Sequence, residues 1–160
     1  MDLESIAQKI GSELKARNLM FATAESCTGG WVGQVVTSVP GSSHWYECGF
    51  ITYTNNSKRE LLGVSTDVLA RFGAVSEQTA RAMAEGALER SRAQVSLAIT
   101  GIAGPGGGTE EKPVGTVCFA WAGENRETVT RRLQFDGDRQ AIRQQAVAEA
   151  LNGMLTFIGA

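Results

Sequence analysis

The chain carries a hydroxyl, a thiol and an amine in settings where each could do chemistry. Glu25-Ser26-Cys27-Thr28-Gly29-Gly30 falls where an apolar, strand-like run should end and a helix begin. A hydroxyl at such a junction lies near the unsatisfied N–H groups of the first helical turn and the positive end of the helix dipole. Those groups can stabilise an oxyanion, and two glycines let a substrate approach the backbone. The same residues have a plainer use, with Ser26 or Thr28 capping the helix and the glycines serving packing. Cys27 competes with Ser26 as nucleophile, because a thiol at a helix start can have a lowered pKa.

The amine is Lys58, in Tyr53-Thr54-Asn55-Asn56-Ser57-Lys58. This segment also follows a strand-like run, so it could reach the same edge of a sheet. A lysine activates a serine if burial or nearby positive charge makes its neutral form accessible. Tyr53 could assist proton transfer or orient the lysine. Lysines are mostly exposed, so a solvated Lys58 on a short helix is the competing reading.

Two further segments could hold an anion. Backbone N–H groups of Thr100-Gly101-Ile102-Ala103-Gly104-Pro105-Gly106-Gly107-Gly108 can form a nest for a phosphate or meet a ribose. The run matches neither a Walker A loop nor a GxGxxG turn opening a helix. A flexible connection between strands would look the same. Arg139 and Arg143 are four apart and share a helix face. Two cations near a helix start oppose its dipole, at about 0.3–1 kcal/mol each. A bound phosphate would offset that cost and accept bidentate hydrogen bonds. Pairing with Asp136, Asp138 or Glu25 is the alternative.

What is scarce narrows the chemistry. There is one histidine, His44, in a Pro-Gly-Ser-Ser turn, so a Ser-His-Asp hydrolase would depend on it alone. One His and three separated cysteines (Cys27, Cys48, Cys118) make a poor zinc set, and no metal is expected. The formal net charge is −2 and no basic run stands out, which argues against nucleic acid as a partner. The longest charge-free stretch, between Glu25 and Glu47, is too rich in glycine, proline and serine for a membrane span. The start, Met-Asp-Leu-Glu followed by Lys9, Glu13, Lys15 and Arg17, is no secretory signal. Unclustered cysteines then suggest reduced thiols and a cytoplasmic location. Glycine is 19 of 160 residues, or about 12% against a usual ~7%. Some backbone must therefore turn sharply or approach a ligand.

The elements that must position these residues follow from periodicity. An amphipathic helix is predicted over 3–17, with Leu3, Ile6, Ala7, Ile10 and Leu14 on one stripe. Strands are predicted over Met20–Glu25, Trp45–Thr54, Val95–Ile99, Val114–Ala122 and Glu127–Phe135. Helices are predicted over Trp31–Val39, Asn55–Leu62, 65–72, and from Ser76 as N-cap to about Arg92. Thr100–Gly108 is a loop. A last helix begins at Asp136 or Asp138 and turns Ile142, Ala146, Val147, Ala150, Leu151, Met154, Leu155 and Ile158 inward. Helices alternating with five strands give a three-layer α/β/α domain over 1–160, with a mixed, mostly parallel sheet.

Taken together and in order, six segments resemble one family. They are Ala24–Gly30, Gly49–Tyr53, Asn55 with Lys58, Gly73–Glu77, Thr100–Pro105 and Lys112–Val117. The chain resembles the CinA C-terminal domain family of nicotinamide-nucleotide amidases over nearly its whole length. The resemblance implies hydrolysis of the carboxamide of nicotinamide mononucleotide to nicotinate mononucleotide and ammonia, in pyridine-nucleotide salvage. It implies a Ser-Lys amidase without cofactor or metal, with Ser26 and Lys58 as the dyad and Tyr53 beside them. It also implies a compact α/β/α domain that self-associates, as a dimer. The expected substrate contacts are Cys27, Thr28, Gly29, Gly30, Asn55, Thr100, Gly101, Arg139 and Arg143. The alternative is a non-catalytic nucleotide-binding or regulatory domain linked to competence or DNA damage.

Overall fold

The computed structural model describes residues 2–160. The elements are α1 (Leu3–Ala16), β1 (Phe21–Glu25), α2 (Trp31–Thr37), β2 (Tyr46–Ile51), α3 (Asn55–Leu62), α4 (Thr66–Phe72), α5 (Glu77–Glu89), β3 (Val95–Gly101), β4 (Thr116–Gly123), β5 (Arg126–Gln134) and α6 (Arg139–Phe157). A short 3-10 turn at Ser42–His44 precedes β2.

Alternation along the central strands builds two different faces. Val95, Leu97 and Ile99 of β3, with Val117, Phe119 and Trp121 of β4, point one way into a core shared with α1, α2 and α6. Ala98, Cys118, Ala120 and Ala122 point the other way, against α5 with α3 and α4 beside it. Each large side chain on the first face contributes about 1.5–3 kcal/mol by burial. The small residues on the second face let α5 lie close, and Ser96 Oγ donates to the Ala84 carbonyl at 2.6 Å. The two helix layers on one sheet are the expected three-layer sandwich.

The strand order is β2-β1-β3-β4-β5. β1 pairs in parallel with β2 and β3, while β3–β4 and β4–β5 are antiparallel. Four strands therefore run one way and β4 opposes them. The chain steps from β1 to β2 through α2 on one face. It then crosses back over β1 to β3 through α3–α5 on the other, so the chain leaves the carboxyl end of β1 towards β2 and that of β3 towards β4, in opposite directions. A crevice opens at such a switch point in α/β sheets.

Element boundaries shift by a few residues, and three of the shifts have local reasons. β3 runs on to Gly101, because Thr100 and Gly101 register against Cys118 and Val117. Thr100 and Gly101 are thus strand residues, and the glycine loop begins at Ile102. β2 stops at Ile51, because Thr54 forms a capping box with Ser57 and opens α3. Trp45 lies before β2 rather than in it, buried against α1, where a side chain on Gly11 would overlap its indole.

Candidate active site

The switch point is where Ser26 and Lys58 meet. Ser26 directly follows β1, and its N–H continues the sheet by donating to the Ile99 carbonyl at 3.0 Å. Lys58 lies on α3, where it and Leu62 form the buried side of the helix. The lysine stem packs inward, and only 1% of the residue is exposed. Its Nζ lies 2.9 Å from Ser26 Oγ, 2.9 Å from the Thr52 carbonyl and 3.4 Å from the Tyr53 carbonyl. None of the ion pairs among the described residues involves Lys58. Burial without a counter-ion pushes its pKa below the ordinary lysine value of 10.5.

This geometry suits a base. A neutral amine has two N–H donors and one lone pair. The two carbonyls can take both donors, which leaves the lone pair for the Ser26 hydroxyl. Cys27 is placed for the opposite. Its thiol is buried and desolvation pushes its pKa up to about 12, outweighing the attraction of nearby Arg143. The lowered thiol pKa considered from the sequence is not found, because this cysteine is packed inside rather than held at an open helix end.

The helix start itself is already occupied. Glu25, 2% exposed, turns its carboxylate into the first turn of α2. Oε1 accepts from Thr28 Oγ1 at 2.7 Å, Gly30 N at 3.2 Å and Val32 N at 2.9 Å. Oε2 accepts from Gly33 N at 3.1 Å. Gly29 N donates to the Ser26 carbonyl and Trp31 N to the Thr28 carbonyl. Neither Ser26 nor Thr28 caps α2; the N-cap is Gly30, with φ +102°. Of the N–H groups from Cys27 to Gly30, only those of Cys27 and Thr28 donate to no other described residue. From the sequence Glu25 is expected only as one alternative partner for the arginines, not as the acceptor for this helix start. The signal for it is a carboxylate closing a strand whose other residues, Thr23 aside, are apolar.

The cavity above Ser26 holds about 260 Å³. Ser26, Cys27, Tyr53, Lys58, Thr100, Gly101 and Arg139 of the expected set line it, together with Ala74, Val75 and the Ile102–Gly107 loop. Arg139 Nη1 donates to the Gly104 carbonyl at 2.7 Å and Nη2 to the Tyr53 hydroxyl at 3.0 Å. Tyr53 touches Lys58 through its main-chain carbonyl, and its phenol belongs to Arg139. The Thr100 hydroxyl donates to the Ala74 carbonyl at 2.8 Å, so it fastens the α4–α5 loop.

Thr28, Gly29, Gly30 and Arg143 border a neighbouring depression with Trp31. Arg143 Nε donates to the Cys27 carbonyl at 3.0 Å and Nη2 to the Thr28 carbonyl at 3.2 Å, with its guanidinium over the Trp31 ring. Neither arginine is in an ion pair among the described residues, so the expected alternative pairing with Asp136, Asp138 or Glu25 is not made. Asn55 is exposed on α3 and lines neither space. His44 lines a separate groove beside α1. Among the described residues no three His, Cys, Asp or Glu side chains converge as metal ligands. No helix there is long and apolar enough to cross a membrane.

Known proteins share this frame. The family model of the CinA C-terminal domain matches residues 3–158. The nicotinamide-nucleotide amidohydrolase PncC of Escherichia coli K12 is 53% identical over 150 residues, covering 94% of this chain and 91% of the relative. A CinA-like protein of Akkermansia muciniphila is 50% identical over 151 residues, which are 94% of this chain but 36% of that longer protein. The crystal structure of the competence/damage inducible protein CihA from Agrobacterium tumefaciens superposes with a TM-score of 0.95 at 46% identity, covering 100% of this chain and 97% of that one.

Proposed function

We propose that this chain, which belongs to the CinA C-terminal domain family, is a nicotinamide-nucleotide amidase working through a Ser26–Lys58 dyad. The observation that carries the reading is the 2.9 Å approach of a buried, unpaired Lys58 to the Ser26 hydroxyl. The substrate comes from the amidohydrolases that the chain is similar to.

Lys58 Nζ takes the Ser26 proton as Oγ attacks the carboxamide carbon of nicotinamide mononucleotide. The carbonyl oxygen becomes an oxyanion, which the free N–H groups of Cys27 and Thr28 stabilise. The Lys58 ammonium returns its proton to the departing nitrogen, and ammonia leaves a nicotinoyl ester on Ser26. Lys58 then takes a proton from a water that attacks the ester and returns it to Ser26 Oγ as the ester bond breaks, giving nicotinate mononucleotide, free Ser26 and a neutral Lys58. Arg139, at the cavity wall without a carboxylate partner, meets the ribose phosphate, with Arg143 one turn further along α6. Holding that remote group orients the amide for attack. The reaction belongs to pyridine-nucleotide salvage.

Incubating the protein with nicotinamide mononucleotide should release ammonia and nicotinate mononucleotide in equal amounts, read by enzymatic ammonia assay and chromatography. Tight binding of the nucleotide with no turnover would overturn the assignment in favour of a nucleotide-binding domain.

A further inference from the structure

Glu25 makes no hydrogen bond to the Ser26 hydroxyl or the Lys58 amine, yet its carboxylate holds the turn that follows Ser26. Its four partners are all donors, so only an acceptor-only carboxylate satisfies the site fully. In holding Gly30, Val32 and Gly33 it fills the first turn of α2, which removes that helix end as an anion site. What remains are the N–H groups of Cys27 and Thr28. Glu25 grips the Thr28 side chain at 2.7 Å, while Arg143 draws the Cys27 carbonyl towards itself at 3.0 Å. In a planar trans peptide the C=O and the following N–H point in opposite directions. The Thr28 N–H is therefore held pointing away from Arg143. The Glu25 backbone ties in the other half of the site. Its carbonyl accepts from Thr52 N at 2.9 Å, and the Thr52 carbonyl receives Lys58.

We propose that Glu25 is a positioning residue for the reaction, whose carboxylate fixes the Ser26–Gly30 turn so that the Cys27 and Thr28 N–H groups face the developing oxyanion. This rests on the Ser26 nucleophile proposed above. It predicts a loss confined to the transition state, because the ground-state amide oxygen needs those donors less than the oxyanion does.

The test is kinetic. Glu25→Ala and Glu25→Gln are assayed for ammonia release from nicotinamide mononucleotide. In parallel, calorimetric titration with nicotinate mononucleotide gives the affinity and the number of competent sites, and circular dichroism checks the fold. Glu25→Ala should lose about 10- to 100-fold in kcat, the effect of a small misplacement of catalytic groups. Glu25→Gln keeps the three bonds made at Oε1 and sets its amide N–H against the Gly33 N–H. It should lose about 2- to 12-fold, the worth of one hydrogen bond. Site number and product affinity should stay at wild-type values in both. If kcat per competent site is unchanged, or activity falls only in step with site number, the proposal is overturned and Glu25 is merely structural. If Glu25→Ala does not fold, the glutamine variant decides alone. Ser26→Ala is measured alongside. An active Ser26→Ala would break the nucleophile assignment, whereas an inactive one beside fully active Glu25 variants would break this inference only.

Discussion

Glu25 and Lys58 flank Ser26, and both are almost wholly buried, yet the protein treats their charges in opposite ways. Glu25 is surrounded by four donors from the turn it precedes. Lys58 is given two backbone carbonyls, a hydroxyl and no anion. A buried charge with its full complement of hydrogen bonds becomes a fixed structural point. A buried amine without a counter-ion has its neutral form favoured, which is what a base needs. Burial alone therefore does not distinguish scaffold from chemistry; the identity of the partners does.

The largest expected effect comes from removing the reactive member. Lys58→Met keeps the stem and deletes the amine, and should lower kcat/KM by about 10²- to 10⁴-fold. Retained ammonia release would erase the contrast between the two groups. Next is Arg139→Ala, which should reduce kcat/KM for nicotinamide mononucleotide by about 10- to 100-fold, as for a lost hydrogen bond to a charged group. Hydrolysis of free nicotinamide should be much less affected, and equal losses on both would remove Arg139 from the phosphate.

Thermal unfolding sharpens the comparison from the stability side. The pKa of Lys58 is lower folded than unfolded, so below 10.5 the unfolded chain binds more protons at this site. Stability contributed here thus rises with pH, from the folded-state value up to 10.5. The melting temperature of wild type relative to Lys58→Met should increase across that window, measured by scanning calorimetry. A difference independent of pH would mean that burial does not shift this lysine. At the small end, His44→Ala should leave kcat/KM unchanged, since His44 lies in a separate groove.

Much of the frame was legible in the sequence because period-2 and period-3.6 patterns report which faces are buried. Val95, Leu97 and Ile99 on one face of β3, and the inward row of α6, follow directly from such patterns. The junction at Ser26 and the nearness of Lys58 to a sheet edge were readable for the same reason. The burial of Lys58 was not, because a lone lysine on a short helix reads as solvated until the opposite layer is in place. Nor was the occupied start of α2, since the donors that hold Glu25 converge only once the turn has formed. The Thr100 hydroxyl and the Arg143 guanidinium find backbone carbonyls in distant segments, at Ala74 and at Cys27. Backbone acceptors leave no mark in a sequence.

The pairing of Lys58 with Ser26 is tested most directly by the pH dependence of kcat/KM for ammonia release from nicotinamide mononucleotide, which reports ionisations of the free enzyme. A rising limb is expected, with its midpoint below the ordinary lysine value of 10.5. A limb at 10.5 or above would contradict a neutral Lys58 acting as the base for Ser26.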